Sequence, residues 1–475
     1  MLLPKTIASL SLSLTLLTIL TAAPCLAADG DPDPSFGDAG IAYITPDLVD
    51  AQELQPVATI VLPDGKILFG GSLDRPTTVP FEQEYRGMLA RMNADGTVDT
   101  SFGNTSIPGV VAVPNLVTGA RMEGIESMQR LDDGSIIAVG TSMVNTPLQG
   151  FVIKLDENGT LDPTFGDGGA VFTLATYAHA VGVDSQGRIV VAGEHIESGV
   201  YTSTVTRFNA DGTPDDSFGD AGTASIEWDG AGNSGYLSDL VMDADDSVTV
   251  AGSYSVYGDG LGGDFAIARL DATGTLDTTY AGGTGWRVFH DPADSSMINS
   301  ILRLTATPDG GLAFAGYYYV LDTSATALIV GHLAADGTTD ASFGDAATPG
   351  YFRPVIVPTA QSVNATDIIA QDDGKLLVSI SYYSFPDKQD FIALRTTALG
   401  QLDATFANGG VFDGDLAPDG VYSDLSSMAL QPDGKILLAG RAERSTEVFL
   451  VDLGVVRLLN AMGPDDVVFA DGFDP

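Results

Sequence analysis

The chain of 475 residues holds a single cysteine, Cys25, and that residue lies in a segment expected to be removed. The mature protein is therefore expected to have no disulfide, no cysteine-ligated zinc and no thiol nucleophile. Positive charge is scarce as well: 21 Lys and Arg face 63 Asp and Glu, for a net charge of −42. A field of that sign repels phosphate backbones and anionic lipid heads, which argues against nucleic acid and membrane surfaces as partners. Beyond residue 27 no apolar run is long enough to span a bilayer, so no membrane insertion is expected. Apolar spacing at 3.6 residues is missing too, which excludes a helical fold. Nucleophile elbows, His-Glu-x-x-His, phosphate loops and dinucleotide fingerprints are all absent. No catalytic residue, metal ligand or cofactor is nominated, and an enzyme becomes the secondary reading.

Residues 1–27 read as a secretory signal: Lys5 gives the positive start, Ile7 to Ala23 is largely apolar, and Cys25-Leu26-Ala27 offers small residues for cleavage. The mature product is expected to be secreted, to the extracellular space, cell surface or periplasm, as a monomer. Acidic excess then serves solubility.

What the chain has in abundance is repetition. Asp-x-Ser/Thr-Phe/Tyr begins at Asp33, Asp99, Asp162, Asp215, Asp277, Asp340 and Asp403, at intervals of 53 to 66 residues. Regular periods above 50 mean an array of one supersecondary unit. A second motif interleaves, as in Pro63-Asp64-Gly65-Lys66-Ile67-Leu68-Phe69-Gly70-Gly71. Asp-Gly between apolar runs is a hairpin signal, because Gly accepts the positive φ of the turn. A third strand precedes each Asp-x-Ser/Thr-Phe/Tyr motif, and a fourth is expected to run through its aromatic residue. Each repeat is thus a four-stranded antiparallel sheet that must stack on its neighbours.

The chain starts with a fourth strand lacking a third and ends with a third lacking a fourth. Those halves predict an all-β, seven-bladed β-propeller, with residues 33–47 completing the last blade. The blades are expected at 52–115, 120–175, 176–229, 234–292, 297–357, 363–413 and 421–460, within a propeller spanning 28–460. An acidic tail follows at 461–475.

A basic residue stands eight positions before each later Asp: Arg91, Lys154, Arg207, Arg269, His332 and Arg395. Across a short hairpin that spacing sets unlike charges opposite one another. Asp33 lacks such a partner and Arg457 lacks an Asp, so these two are expected to meet and pin the ring shut. Repetition argues for structural roles in all seven pairs, His332 included, since one active site does not need seven copies.

Seven copies of Leu/Pro/Val/Thr-Asp-x-Ser/Thr-Phe/Tyr, most followed by Gly, alternate with segments like Pro-Asp-Gly-Lys-Ile-Leu-Leu-Ala-Gly. This pattern resembles the delta-60 repeat of bacterial surface and secreted proteins. The resemblance covers roughly Asp31 to Asn460 and implies a β-propeller without implying an activity. Copies with Tyr280-Ala281 and Phe406-Ala407 depart from it, and local irregularity is expected there.

Acidic turns such as Asn93-x-Asp95-Gly96 suggest calcium, yet Thr397-Ala398-Leu399-Gly400 has almost no oxygen donors, so ordinary turns fit better. Long, variable connections lie on the face opposite the tight turns, where binding usually sits. Tyr254, Tyr257, Tyr318, Tyr319, Tyr382 and Tyr383 follow the second strands of three adjacent repeats there. With Glu194-His195 close by, they are the candidate ligand contacts for an extracellular glycan, peptide or protein. Packing between blades is the competing explanation for alternate tyrosines. The expected function is a binding or scaffold module. The alternatives are a glycan-acting propeller enzyme using loop carboxylates, with or without calcium, and a purely structural surface protein.

Overall fold

The computed structural model describes residues 28–460 apart from short internal stretches, the longest being 47–52, 77–82, 256–262, 290–298 and 445–450. The expected signal and tail therefore lie outside the described residues. The fold is all-β and propeller-like; among the described residues the sole helical element is the three-residue 3-10 turn Ala281–Gly283.

One unit shows how the repeat folds. Glu53–Val61 pairs antiparallel with Ile67–Pro76, that strand with Gln83–Met92, and the last with the short Val110–Ala112. The same four-stranded unit recurs from first strands at Met122–Arg130, Tyr177–Val183, Ser234–Met242, Asn299–Ala306, Ser362–Ala370 and Tyr422–Leu430. In the unit that opens at Tyr422 the fourth strand is Ile41–Ile44, which pairs with Asp452–Leu458 from the other end of the chain. First strands of successive units pack against one another, and the core lies between successive sheets.

Each first strand carries a β-bulge at the same place, between Pro56 and Ala58 in the unit above. The bulge explains the glycine within the second strand of most units, a position held by Ile380 in the unit that opens at Ser362. A Cβ on Gly71 would stand 1.9 Å from the Gln55 carbonyl oxygen, so the strand closes only around a glycine there.

The fourth strand differs from the expectation. It does not run through the aromatic residue of Asp-x-Ser/Thr-Phe; residues 33–40 form turns, and the strand is Ile41–Ile44 alone. The cause is local. Asp33 Oδ1 accepts from the Ser35 N–H at 2.9 Å and from its hydroxyl at 2.7 Å, while the Phe36 N–H donates to Asp33 O at 3.0 Å. Asp and Ser thereby offer the backbone a turn in place of a ladder. All seven copies make this pair of bonds, from Ser101, Thr164, Ser217, Thr279, Ser342 and Thr405 in the others.

The residue after the aromatic has positive φ: 52° at Gly37, 54° at Gly166 and 57° at Gly219. Its N–H reaches the turn of the next sheet, as Gly37 N–H does to Asp95 O at 2.8 Å. Ala281 and Ala407 hold this position at φ 52° and 42°, a conformation that disfavours a Cβ. Ala281→Gly and Ala407→Gly are each expected to raise stability by about 0.5–1 kcal/mol in urea unfolding.

Candidate ligand-binding site

Two ends of the sheets carry different chemistry. At the tight-turn end, the second oxygen of each motif Asp faces its base: Arg91–Asp99 2.8 Å, Arg207–Asp215 2.8 Å, Arg395–Asp403 2.9 Å and Arg457–Asp33 2.9 Å. His332–Asp340 is 3.0 Å, Arg269–Asp277 3.6 Å and Lys154–Asp162 4.0 Å. The guanidinium groups of Arg91, Arg207 and Arg457 lie 4.3–4.5 Å over Phe102, Phe218 and Phe36, joining charge pairing to cation–π contact. Although burial works against it, hydrogen bonds from Ser101, Lys66 and Arg91 hold the Asp99 carboxyl well below its usual range. The turn acids are occupied in a similar way: Asp95 Oδ1 accepts from the Thr97 N–H and hydroxyl.

The opposite end carries the tyrosines. Tyr254 is buried in the inter-sheet core with Trp228 and Leu237, because strand alternation turns it inward, and it offers little surface to a ligand. Tyr257 lies outside the described residues. Tyr318 is half-buried under the Arg353 guanidinium, 3.8 Å from its ring centroid. Tyr319 is half-buried, the Tyr382 hydroxyl donates to Asp413 Oδ1 at 3.5 Å, and Tyr383 is partly exposed. His195 is exposed with Nδ1 3.0 Å from Leu174 O.

The ring contacts at this end that join neighbouring units involve different residues. The rings of Tyr201 and Tyr236, from adjacent units, lie 4.7 Å apart and tilted by 38°. Tyr177 stacks on His179 at 5.8 Å, and His179 Nε2 lies 3.0 Å from Glu194 Oε2. Glu194 is buried, sits opposite Tyr177 in the ladder, and accepts the Leu237 N–H of the next unit at 3.1 Å. Burial lowers the His179 pKa, but the hydrogen bond and charge of Glu194, with Glu126 behind it, outweigh that and leave it raised. Burial, Tyr201 and Glu194 raise both the Tyr177 and Tyr236 hydroxyls, so they stay neutral donors. Three phenols, an imidazole and a carboxyl group thus meet where two adjacent first strands begin.

Behind this cluster runs a charged row that sequence reading missed. The bulges of the first strands present Glu126, His179, Asp239, Arg303 and Asp367 from five successive units. Asp239 accepts the Leu240 and Leu304 N–H groups, and Asp367 those of Ile368 and Met428, so each carboxylate ties its bulge to the next unit. Burial pushes Asp367 up to about 6 against the pull of Arg303, with Asp239 adding to the rise. A signal existed: these residues occupy two adjacent slots, Glu126 and His179 seven positions before the tight turn and Asp239, Arg303 and Asp367 six. Most other copies hold Ala, Ser, Thr, Val or Leu there.

A third cluster sits where Glu53, Asp74 and Tyr85 face one another across three strands. Asp74 is fully buried, and neither of its oxygens has a hydrogen-bond partner among the described residues. Burial and the charge of Glu53 push its carboxyl up to about 6. A raised folded pKa favours stability at low pH and loses it as pH climbs from the unfolded value toward 6. Relative to the parent, Asp74→Asn is therefore expected to gain roughly 2–4 kcal/mol between pH 4 and pH 7, read from urea unfolding across that window.

Four stretches, residues 62–102, 131–165, 185–218 and 244–280, match a family described as a beta-propeller domain of unknown function (DUF5122). The chain therefore carries β-propeller repeats. No curated protein matches it significantly. Solved structures that are similar include a protein of unknown function from Dyadobacter fermentans, 14% identical, with a TM-score of 0.42 over 76% of this chain and 98% of that one. Another is the β-propeller domain of the Trilobed protease from Pyrococcus furiosus, 9% identical, with a TM-score of 0.44 over 89% and 99%. A polysaccharide lyase acting on ulvan is 12% identical, with a TM-score of 0.45 over 88% and 95%.

Proposed function

We propose that the chain is a secreted, seven-bladed propeller of the delta-60 repeat type that binds an uncharged or amine-bearing oligosaccharide. Ring closure is supported by contacts between the first unit and the last. The Leu54 N–H donates to Val451 O at 3.0 Å, the hydroxyls of Thr59 and Ser427 lie 2.6 Å apart, and one apolar cluster joins Leu54 and Phe69 to Leu437 and Val455.

The observation that carries the binding reading is the grouping of Tyr177, His179, Glu194, Tyr201 and Tyr236. Phenol rings offer flat apolar faces to sugar rings, while the hydroxyls and the carboxylate supply directional hydrogen bonds. A net charge of −42 disfavours polyanionic glycans and favours neutral or amino sugars.

Calorimetric titration with neutral and amino-sugar oligosaccharides tests this. Saturable heat is expected, weakened about tenfold or more by Tyr201→Ala, which removes one stacking ring. Product formation would turn the reading toward an enzyme. Heat that Tyr201→Ala leaves untouched would place the site elsewhere.

A further inference from the structure

Residues 28–32 and 458–460 meet inside a turn, and the turn is rebuilt from both segments. In an intact copy the Asn93 N–H donates to Thr97 O at 2.8 Å and the Gly96 N–H to Asn93 O at 2.9 Å. At the junction the Leu459 N–H donates to Asp31 O at 2.8 Å and the Gly30 N–H to Leu459 O at 2.6 Å. Bridge Pro32–Leu458 matches Met92–Val98. The Ala407 N–H reaches Asp29 O at 2.6 Å as the Gly37 N–H reaches Asp95 O at 2.8 Å. Residues 28–32 therefore take the places of residues 94–98, and Leu459 takes that of Asn93.

Two substitutions mark the cut. Three other motif arginines donate to a turn carbonyl of the next unit: Arg91 to Glu157 O, Arg207 to Ala272 O and Arg457 to Ala94 O. Arg395 faces the interrupted turn and takes the Asp29 carboxylate, at 3.0 Å, and the Asn460 side chain instead. At the position of Thr97 the other copies have Thr160, Thr213, Thr275, Thr338 and Gln401, whereas the junction has an acid, Asp31. Its Oδ2 lies 2.7 Å from the backbone nitrogen of the exposed Ala28.

We propose that the chain is cut between Ala27 and Ala28, and that the α-ammonium so released docks on Asp31 to complete the interrupted turn. Water adds across the peptide bond under an export-linked endopeptidase. Ala27 leaves with the leader as a carboxylate, and Ala28 keeps the amine, which takes up a proton.

This inference rests on the closed-ring reading, and its test separates the two. Mass spectrometry of the protein exported from the full-length chain is expected to give Ala28 as the first residue. Titrating the ¹³C-dimethylated α-amine by NMR is expected to place its pKa about half a unit or more above the 7.7–8.0 of a free terminus. In Asp31→Thr, which installs the residue of the intact copies, that shift is expected to vanish while the fold persists. A different first residue, or an α-amine indifferent to Asp31→Thr and Asp31→Asn, overturns the proposal. Ring closure would still be judged separately from Arg457.

Discussion

Replacing Arg457 by methionine is expected to lower the free energy of unfolding by about 3–5 kcal/mol, far more than replacing Lys154. Arg457 is buried; its guanidinium bonds Asp33 at 2.9 Å, Ala94 O at 2.6 Å and the Ser35 hydroxyl at 3.1 Å, and it covers the Phe36 ring. Removing it leaves the buried Asp33 carboxylate with only the more distant Lys435 ammonium, at 3.8 Å, and loosens three segments that are far apart in the chain. Lys154 has the repeat position without that setting, since it stands 4.0 Å from a part-exposed Asp162. Lys154→Met is expected to cost less than about 1 kcal/mol. Urea unfolding of the two variants side by side is the measurement. A cost at Arg457 as small as that at Lys154 would mean that the chain ends do not hold the last sheet together.

That contrast also shows what was legible beforehand. Asp33 and Arg457 could be paired from the sequence because six other copies spell out the rule, and the same repetition marked the hairpin turns. Strand ends were less legible. The Asp-Ser and Asp-Thr side chains draw the backbone into a turn where alternation alone suggests a strand, so Phe36 and Phe102 plug the core from loops.

Tyrosine count pointed toward Tyr254, whose ring is buried, and away from Tyr177, Tyr201 and Tyr236, which are scattered in sequence and brought together only by packing of adjacent units. Glu194 was visible as a neighbour of His195, but its partner His179 was not. The pairing depends on a bulge that displaces the first strand by one residue.

Arg303 provides the second large effect, because it is the cation between Asp239 and Asp367 in the bulge row. Burial raises both carboxyls, and Arg303 is the charge that opposes the rise in each. Arg303→Met should push both pKa values higher. Each acid already has a folded pKa above its unfolded one, so its contribution falls as pH rises between those values. In the parent the fall at Asp367 ends near pH 6, its folded pKa. In the variant it continues beyond that point, since the carboxyl must still be ionised without its cation. The deficit of Arg303→Met is therefore expected to be small near pH 5 and to grow to about 2–4 kcal/mol at pH 8. The double variant Arg303→Met, Asp367→Asn should recover much of it at pH 8 and little at pH 5. Chemical unfolding at the two pH values decides the matter. A deficit independent of pH would assign Arg303 a packing role, with its aliphatic stem rather than its charge holding the row together.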